Sequence, residues 1–173
     1  ALPIYKSSGG QVYVTSDKWG PWKGAPLFMS YGKCLLYGVL WDEVDGEVQA
    51  AMVPFNLRFQ SGVMRGRFNP KDGQLYVCGL KGWQNAATRD GGFYRVRHTG
   101  KPVHMPVKAH VAANAIQLTF SSPLDAAAAR DAGSYSVETW NYRYSGGYGS
   151  DELSVANPGK KGHDTLAVGT VSL

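Results

Sequence analysis

Three histidines and a methionine lie close together in the middle of the chain, at His98, His104, Met105 and His110. Imidazole and thioether groups are ligands that suit copper. Even spacing would put His98 and His104 on one face of a strand, but Gly100 interrupts the strand pattern between them. We therefore expect ordinary linker or surface histidines and no bound metal, with a copper site as the alternative.

Arg65 and Arg67 flank Gly66 and fall on one face of a predicted strand. Two neighbouring guanidinium groups can bind a carboxylate or a phosphate through paired hydrogen bonds. The same groups can instead bind Asp72, Asp90 or backbone carbonyls and so fix the edge of a sheet. We favour that structural role and keep both arginines as candidate ligand-binding residues.

Tryptophans supply the other candidate binding surface. Trp41 and Trp140 lie in strand-like sequence and are expected to fill cores, whereas Trp19, Trp22 and Trp83 lie beside glycines in predicted loops. Aromatic faces suit flat partners such as sugars. The three loop tryptophans are therefore candidate ligand-binding residues, at least two of which would line a shared groove, and burial in a core is the equal alternative.

The two cysteines, Cys34 and Cys78, are too far apart in sequence to form a Cys-x-x-Cys pair. They are either two buried thiols or one disulfide that closes a long loop, and in an exported protein the disulfide is slightly favoured. The haem-attaching sequence Cys-x-x-Cys-His and the hydrolase sequence Gly-x-Ser-x-Gly are both absent from the chain. We therefore predict no catalytic residue and no cofactor in this chain.

Short apolar runs separated by turn residues predict a succession of β-hairpins in the first part of the chain. Residues 34–41 and 47–55 flank Asp45-Gly46, and Asp-Gly between such runs is the strongest short-range signal for a hairpin. Many short strands joined by tight turns are typical of an all-β protein.

A second hairpin follows, and a third alternating run at residues 93–97 continues it. Residues 64–68 and 74–78 alternate on either side of an Asn-Pro-Lys-Asp-Gly turn. Proline fixes φ early in such a turn and glycine accepts a positive φ late in it. We therefore predict a tight turn with Gly73 at positive φ.

The pattern changes after a proline-containing segment. Residues 115–120 alternate as a strand, and the alanine-rich residues 124–131 predict one short helix. We accordingly divide the chain into residues 1–103 and 104–173, both built mainly from strands.

Composition excludes several classes of protein. Of 173 residues, 43% are hydrophobic and 18% are charged, which is typical of a globular chain. The net charge of +5 is scattered along the sequence, whereas nucleic-acid binders usually gather their basic residues into a stripe. No apolar run approaches the length of about 20 residues that a membrane span needs. We expect an exported chain, periplasmic or extracellular, with any signal sequence removed or located upstream, no nucleic-acid partner and no membrane span.

Two segments together resemble a β-propeller blade, namely MRGRFNPKDGQLYVCGL at residues 64–80 and GFYRVR at residues 92–97. This blade is similar to those of bacterial sorbosone- and glucose-dehydrogenase-like propellers. Over nearly its whole length the chain resembles the C-terminal segment of the membrane-bound-dehydrogenase-like, haem-associated secreted proteins of planctomycetes and verrucomicrobia. In that family an Ig-like module follows the propeller, and residues 115–120 and 135–137 resemble its start.

The resemblance implies propeller-blade-like antiparallel strands in residues 1–103 and an Ig-like β-sandwich portion in residues 104–173. One or two blades cannot close a propeller, which needs about four or more. The resemblance therefore implies a non-catalytic scaffold or binding segment of a larger exported protein. The alternatives are part of a quinone- or haem-linked sugar or alcohol oxidoreductase with its active site elsewhere, and a carbohydrate-binding module. The expected partners are the remainder of a larger polypeptide, another copy of the chain, or carbohydrate.

Overall fold

The computed structural model describes residues 8–144, 146 and 149–173. Residues 1–7 of the predicted first region lie outside this described part. Every paired strand in it is antiparallel, and the all-β prediction is confirmed. Within the same residues, no helix has the length and apolar character needed to cross a bilayer. The described chain forms two compact units, residues 8–122 and 123–173.

The larger unit contains two antiparallel sheets and a hairpin. The first sheet has the order β1-β2-β3-β4, the second has the order β5-β6-β7, and β8 pairs with β9. The bounds of these strands are β1 Ser8–Tyr13, β2 Pro26–Ser30, β3 Leu35–Val44, β4 Glu47–Pro54, β5 Arg65–Phe68, β6 Leu75–Leu80, β7 Gly91–Val96, β8 Pro106–Ala112 and β9 Ala115–Phe120. Neighbouring strands in each sheet are also consecutive in sequence, as short hairpin connections favour.

Both predicted hairpin turns are present. Asp45 and Gly46 join β3 to β4 with φ values of 52° and 82°, the left-handed conformations that a two-residue turn of this kind requires. Gly73 has a φ of 70° between β5 and β6, as predicted. Its amide donates to the carbonyl of Asn69 at 2.7 Å, and the Gln74 amide donates to the Asp72 carboxylate at 2.9 Å.

One hydrophobic core serves the larger unit. Its buried members include aliphatic side chains of both sheets, and the aromatic residues Trp19 and Trp22 lie among them. These two tryptophans come from a 3₁₀ segment, Asp17–Trp22, which follows the capping residue Ser16 and turns sharply at Gly20. The Ser16 hydroxyl accepts a hydrogen bond from the Lys18 amide and caps this segment.

The larger unit extends past the boundary predicted between residues 103 and 104. Met105 is buried in its core, and Val107 and Ala109 of β8 pack against that core. On the same strand, Nδ1 of His110 lies 2.6 Å from the carboxylate of Asp42 on β3. The β8–β9 hairpin therefore belongs to the larger unit, and the division falls between residues 122 and 123. The sequence composition could not reveal this boundary, because the boundary depends on where the β8–β9 hairpin packs.

The smaller unit contains the helix that the alanine-rich sequence predicts. Helix α1 spans Ala126–Arg130, and the Asp125 carboxylate accepts a hydrogen bond from the Ala128 amide at its start. Strands β10, Val137–Thr139, and β11, Asp164–Leu166, form a two-stranded sheet. Residues 167–173, which follow β11, contain no strand.

Candidate functional site

A groove with a volume of about 1010 Å³ opens on the larger unit. Trp19, Trp22 and Met105 lie at its buried base. Residues 53–59, which end β4 and continue beyond it, line one part, and residues 94–99 at the end of β7 line another. The remaining lining residues are 101–106, Pro21 and Ser121. A space of this size can hold a small molecule or several residues of an extended chain.

The base of the groove is an aromatic cluster. The ring centroid of Trp19 lies 5.2 Å from that of Phe68 at 80°, and the Trp22 centroid lies 5.0 Å from that of Phe55. These are edge-on and tilted contacts of the kind that stabilise aromatic cores. Buried Nε1 of Trp19 has no hydrogen-bond partner among the described residues.

Basic residues surround this apolar base. The groove lining contains Arg58, Arg95, Arg97, His98, Lys101 and His104, and none of the described lining residues is acidic. Among the described residues, no salt bridge involves Arg58, Arg95, Arg97 or Lys101 of this lining. Charges of one sign that line a cleft with low-dielectric walls concentrate the electrostatic field there. The groove therefore favours an anionic ligand.

Two of the three candidate tryptophans, Trp19 and Trp22, share this groove as part of its base. Trp19 is 2% exposed and Trp22 is 4% exposed, so for these two residues the alternative of burial in a core holds. Their Gly-Pro loop folds into the 3₁₀ segment and carries both indoles into the core. Trp83 is 75% exposed and does not line the groove. Trp41 is exposed as well, although its strand position predicted burial.

Arg65 and Arg67 are both exposed on one face of β5, where they pair in register with Cys78 and Tyr76 of β6. Nη1 of Arg65 donates to the carbonyl oxygens of Gly9 and Met64. Nη1 of Arg67 donates to the carbonyl oxygen of Gly66 at 2.7 Å. Both arginines thus make the backbone contacts that a structural role requires, and they lie outside the groove.

The histidines and the methionine proposed as metal ligands are distributed over different surroundings. His98 and His104 line the groove and Met105 lies at its buried base, whereas His110 binds Asp42 on β3. Among the described residues, no group of three or more histidine, cysteine, aspartate or glutamate side chains is placed to hold a metal ion. The close spacing in sequence therefore does not bring these side chains to a common point.

The predicted disulfide is not formed, because Cys34 and Cys78 are free cysteines. Cys34 is buried in the turn before β3, where burial raises the pKa of its thiol. Cys78 lies in β6, in the other sheet, and its side chain is exposed. The hairpins that carry the two cysteines are consecutive in sequence, but they belong to different sheets.

The smaller unit holds a cluster that the sequence did not reveal. Nδ1 of His163 lies 2.8 Å from the Glu138 carboxylate, and Nε2 lies 2.7 Å from the Glu152 carboxylate. The Trp140 ring stacks on the imidazole with a centroid distance of 4.2 Å and an angle of 14°. Glu138, followed by Glu152, raises the pKa of His163. The carboxylates bind opposite ring nitrogens, so this arrangement stabilises an imidazolium and does not converge on one metal ion.

No spacing rule would have identified this cluster, because its members come from separate segments of the smaller unit. Comparisons with protein-family models, with curated proteins and with solved structures gave no match. The groove and the His163 cluster are therefore interpreted from their own geometry and chemistry.

Proposed function

We propose that the chain is a non-catalytic binding segment of a larger exported protein and that its groove binds an anionic ligand carrying apolar groups. The observation that carries this proposal is the combination of a buried aromatic base with a basic lining that contains no acidic residue among those described. Apolar groups of the ligand would contact the exposed apolar lining, such as Leu57 and Val103, while its anionic groups meet the arginines.

Two physical effects support this choice of ligand. An ion pair is stronger beside apolar walls than in bulk water, because the effective dielectric constant is lower there. The arginines can also form paired hydrogen bonds with carboxylates or other oxyanions. A ligand with anionic groups alone would leave the exposed apolar lining at Leu57 and Val103 uncovered, and a purely apolar ligand would form no ion pair with the basic residues.

The proposal includes the propeller-blade-like interpretation of the larger unit and the Ig-like interpretation of the smaller one. The order β1-β2-β3-β4, with consecutive antiparallel strands, is the arrangement expected of one propeller blade. The Ig-like interpretation rests on the sequence resemblance. A segment of this kind would act through the ligand or polypeptide that it holds.

The proposal is tested with 8-anilinonaphthalene-1-sulfonate, a probe that combines an apolar ring system with an anion. We expect saturable binding that weakens with added salt and falls about tenfold in the double variant Arg95→Gln/Arg97→Gln, since each lost ion pair contributes up to about 1 kcal/mol. The matched control, Lys160→Gln/Lys161→Gln, removes the same charge from the smaller unit and should bind the probe normally.

Equal weakening in both double variants would contradict the proposal, because it would show a response to net charge and not to the groove. Binding that is insensitive to both variants would contradict it as well. Titration with neutral polysaccharides provides a separate comparison. A shift of tryptophan emission that is lost in Trp83→Ala would instead favour the carbohydrate-binding alternative.

A further inference from the structure

Strand β7 forms an open edge of its sheet beside the groove. It pairs with β6 on one side, and no described strand pairs with it on the other. Residues 94–99, which contain the end of β7 and the residues after it, line the groove. An unpaired edge exposes backbone amides and carbonyls that can pair with another extended chain.

The hydrogen bonds of β6 define which of its backbone groups face β7. The carbonyl of Cys78 accepts from the Met64 amide at 2.9 Å, and the carbonyl of Leu80 accepts from the Gly62 amide at 3.1 Å. These even-numbered residues of β6 therefore direct their backbone groups toward β5. Since direction alternates along a strand, the odd-numbered residues of β6 direct theirs toward β7.

Contacts at both ends of β7 agree with this alternation. The Lys81 amide donates to the carbonyl of Asp90 at 2.8 Å, and the His98 amide donates to the Gln74 side chain at 3.3 Å. Even-numbered residues along this part of the chain thus face β6. The backbone amides and carbonyls of Arg95 and Arg97 therefore point away from β6. No hydrogen bond of these groups is present among the described residues.

The side chains along this edge alternate as well. Phe93, Arg95 and Arg97 are exposed, whereas Tyr94 and Val96 are partly buried against the core. A strand added beside β7 would place alternate side chains next to the arginines and the others next to Tyr94 and Val96. Charge and apolar contact therefore select a segment in which acidic and apolar residues alternate.

We propose that the groove binds an extended polypeptide segment of alternating acidic and apolar residues, which pairs with the free edge of β7 as a fourth strand of that sheet. This inference rests on the proposed function and names the class of its ligand. Main-chain hydrogen bonds to the edge supply affinity in this mode of recognition, and alternate side-chain contacts supply specificity.

The test uses labelled peptides of about eight residues with alternating glutamate and valine, a length that covers this part of β7 at about 3.3 Å per residue. Fluorescence anisotropy with the whole chain should show binding, and the matched lysine–valine peptide should not bind. Arg97→Glu should reverse this preference. Arg67→Glu should leave it unchanged, because Arg67 lies on β5, at the opposite edge of the sheet from β7. Equal binding of both peptides would overturn the choice of an acidic segment.

Strand pairing itself is tested by N-methylation of the glutamate–valine peptide. Only one alternate set of its amides faces β7, so methylation of that set should weaken binding by about tenfold or more, and methylation of the other set should have little effect. Equal effects of the two modifications would overturn strand addition. If that occurred while the sulfonate probe still required Arg95 and Arg97, the proposed anion-binding function would stand and only this inference would fail.

Discussion

Trp22 packs directly on Gly38 of β3, so a single methyl group at position 38 tests the base of the groove. A Cβ at Gly38 would lie 3.1 Å from Cε3 of Trp22 and nearer still to Cζ3 and Cη2. Carbon atoms in favourable contact are about 3.5–4.0 Å apart. The indole, which is buried and held against Phe55, must therefore move in Gly38→Ala.

Two opposing effects determine the size of the change. Forcing extra atoms into a packed core costs about 1–3 kcal/mol. Replacing glycine by alanine where φ is not positive also reduces the entropy of the unfolded chain, which stabilises by about 0.4–1 kcal/mol. Gly38 is not among the residues with positive φ. We therefore expect Gly38→Ala to lower the free energy of unfolding of the larger unit by about 1–2 kcal/mol.

Urea unfolding followed by circular dichroism and tryptophan emission measures this difference. Gly91→Ala is the matched control, because a Cβ there would meet only the Gly79 carbonyl oxygen at 3.6 Å, and we expect unchanged or slightly higher stability. In a Trp22→Phe background the two closest ring atoms are gone, so Gly38→Ala should cost less. An unchanged midpoint for Gly38→Ala, or an equal cost in both backgrounds, would refute the contact.

Three further predictions concern pH, a turn and the thiols. The His163 imidazolium should stabilise the smaller unit fully below pH about 6.5, which is the pKa of histidine in the unfolded chain. This contribution should disappear as the pH rises through the higher pKa of the folded state. Glu138→Gln should lower the pKa of His163 in an NMR titration, and an unchanged pKa would contradict the pairing. Gly73→Ala, with a Cβ 2.5 Å from the Ser16 hydroxyl at positive φ, should destabilise by about 1 kcal/mol or more in thermal unfolding, and an unchanged melting curve would count against it. In native protein a thiol reagent should label Cys78 and not buried Cys34, whereas equal labelling of both would contradict the burial of Cys34.

Features that depend on local chemistry were predictable from the sequence. The hairpin at Asp45-Gly46 and the positive φ at Gly73 follow from what those residues do in any tight turn. Helix α1 follows from four consecutive alanines after an aspartate that caps them. Each of these predictions required only residues within one or two turns of the chain.

Features that depend on distant partners were not predictable in the same way. Glycines and prolines around Trp22 suggested an exposed loop, but its ring is buried because Gly38, on strand β3, leaves room for it. The residues that bind His163 likewise come from separate segments. Cys34 and Cys78 lie in sequential hairpins, yet those hairpins enter different sheets. In each instance the deciding contact is absent from the local pattern.

The free edge of β7 shows how local and distant effects combine. After Val96 the chain passes through Gly100 and Pro102. Proline has no backbone N–H, so it cannot donate a hydrogen bond to a neighbouring strand. The chain then forms the β8–β9 hairpin, whose His110 contacts Asp42 on β3 and whose β8 side chains pack against the core. Because the hairpin packs there and does not pair with β7, the edge remains open and residues 101–106 become part of the groove lining. The strand was predictable from its alternation, whereas its availability to a ligand depends on where the next hairpin packs.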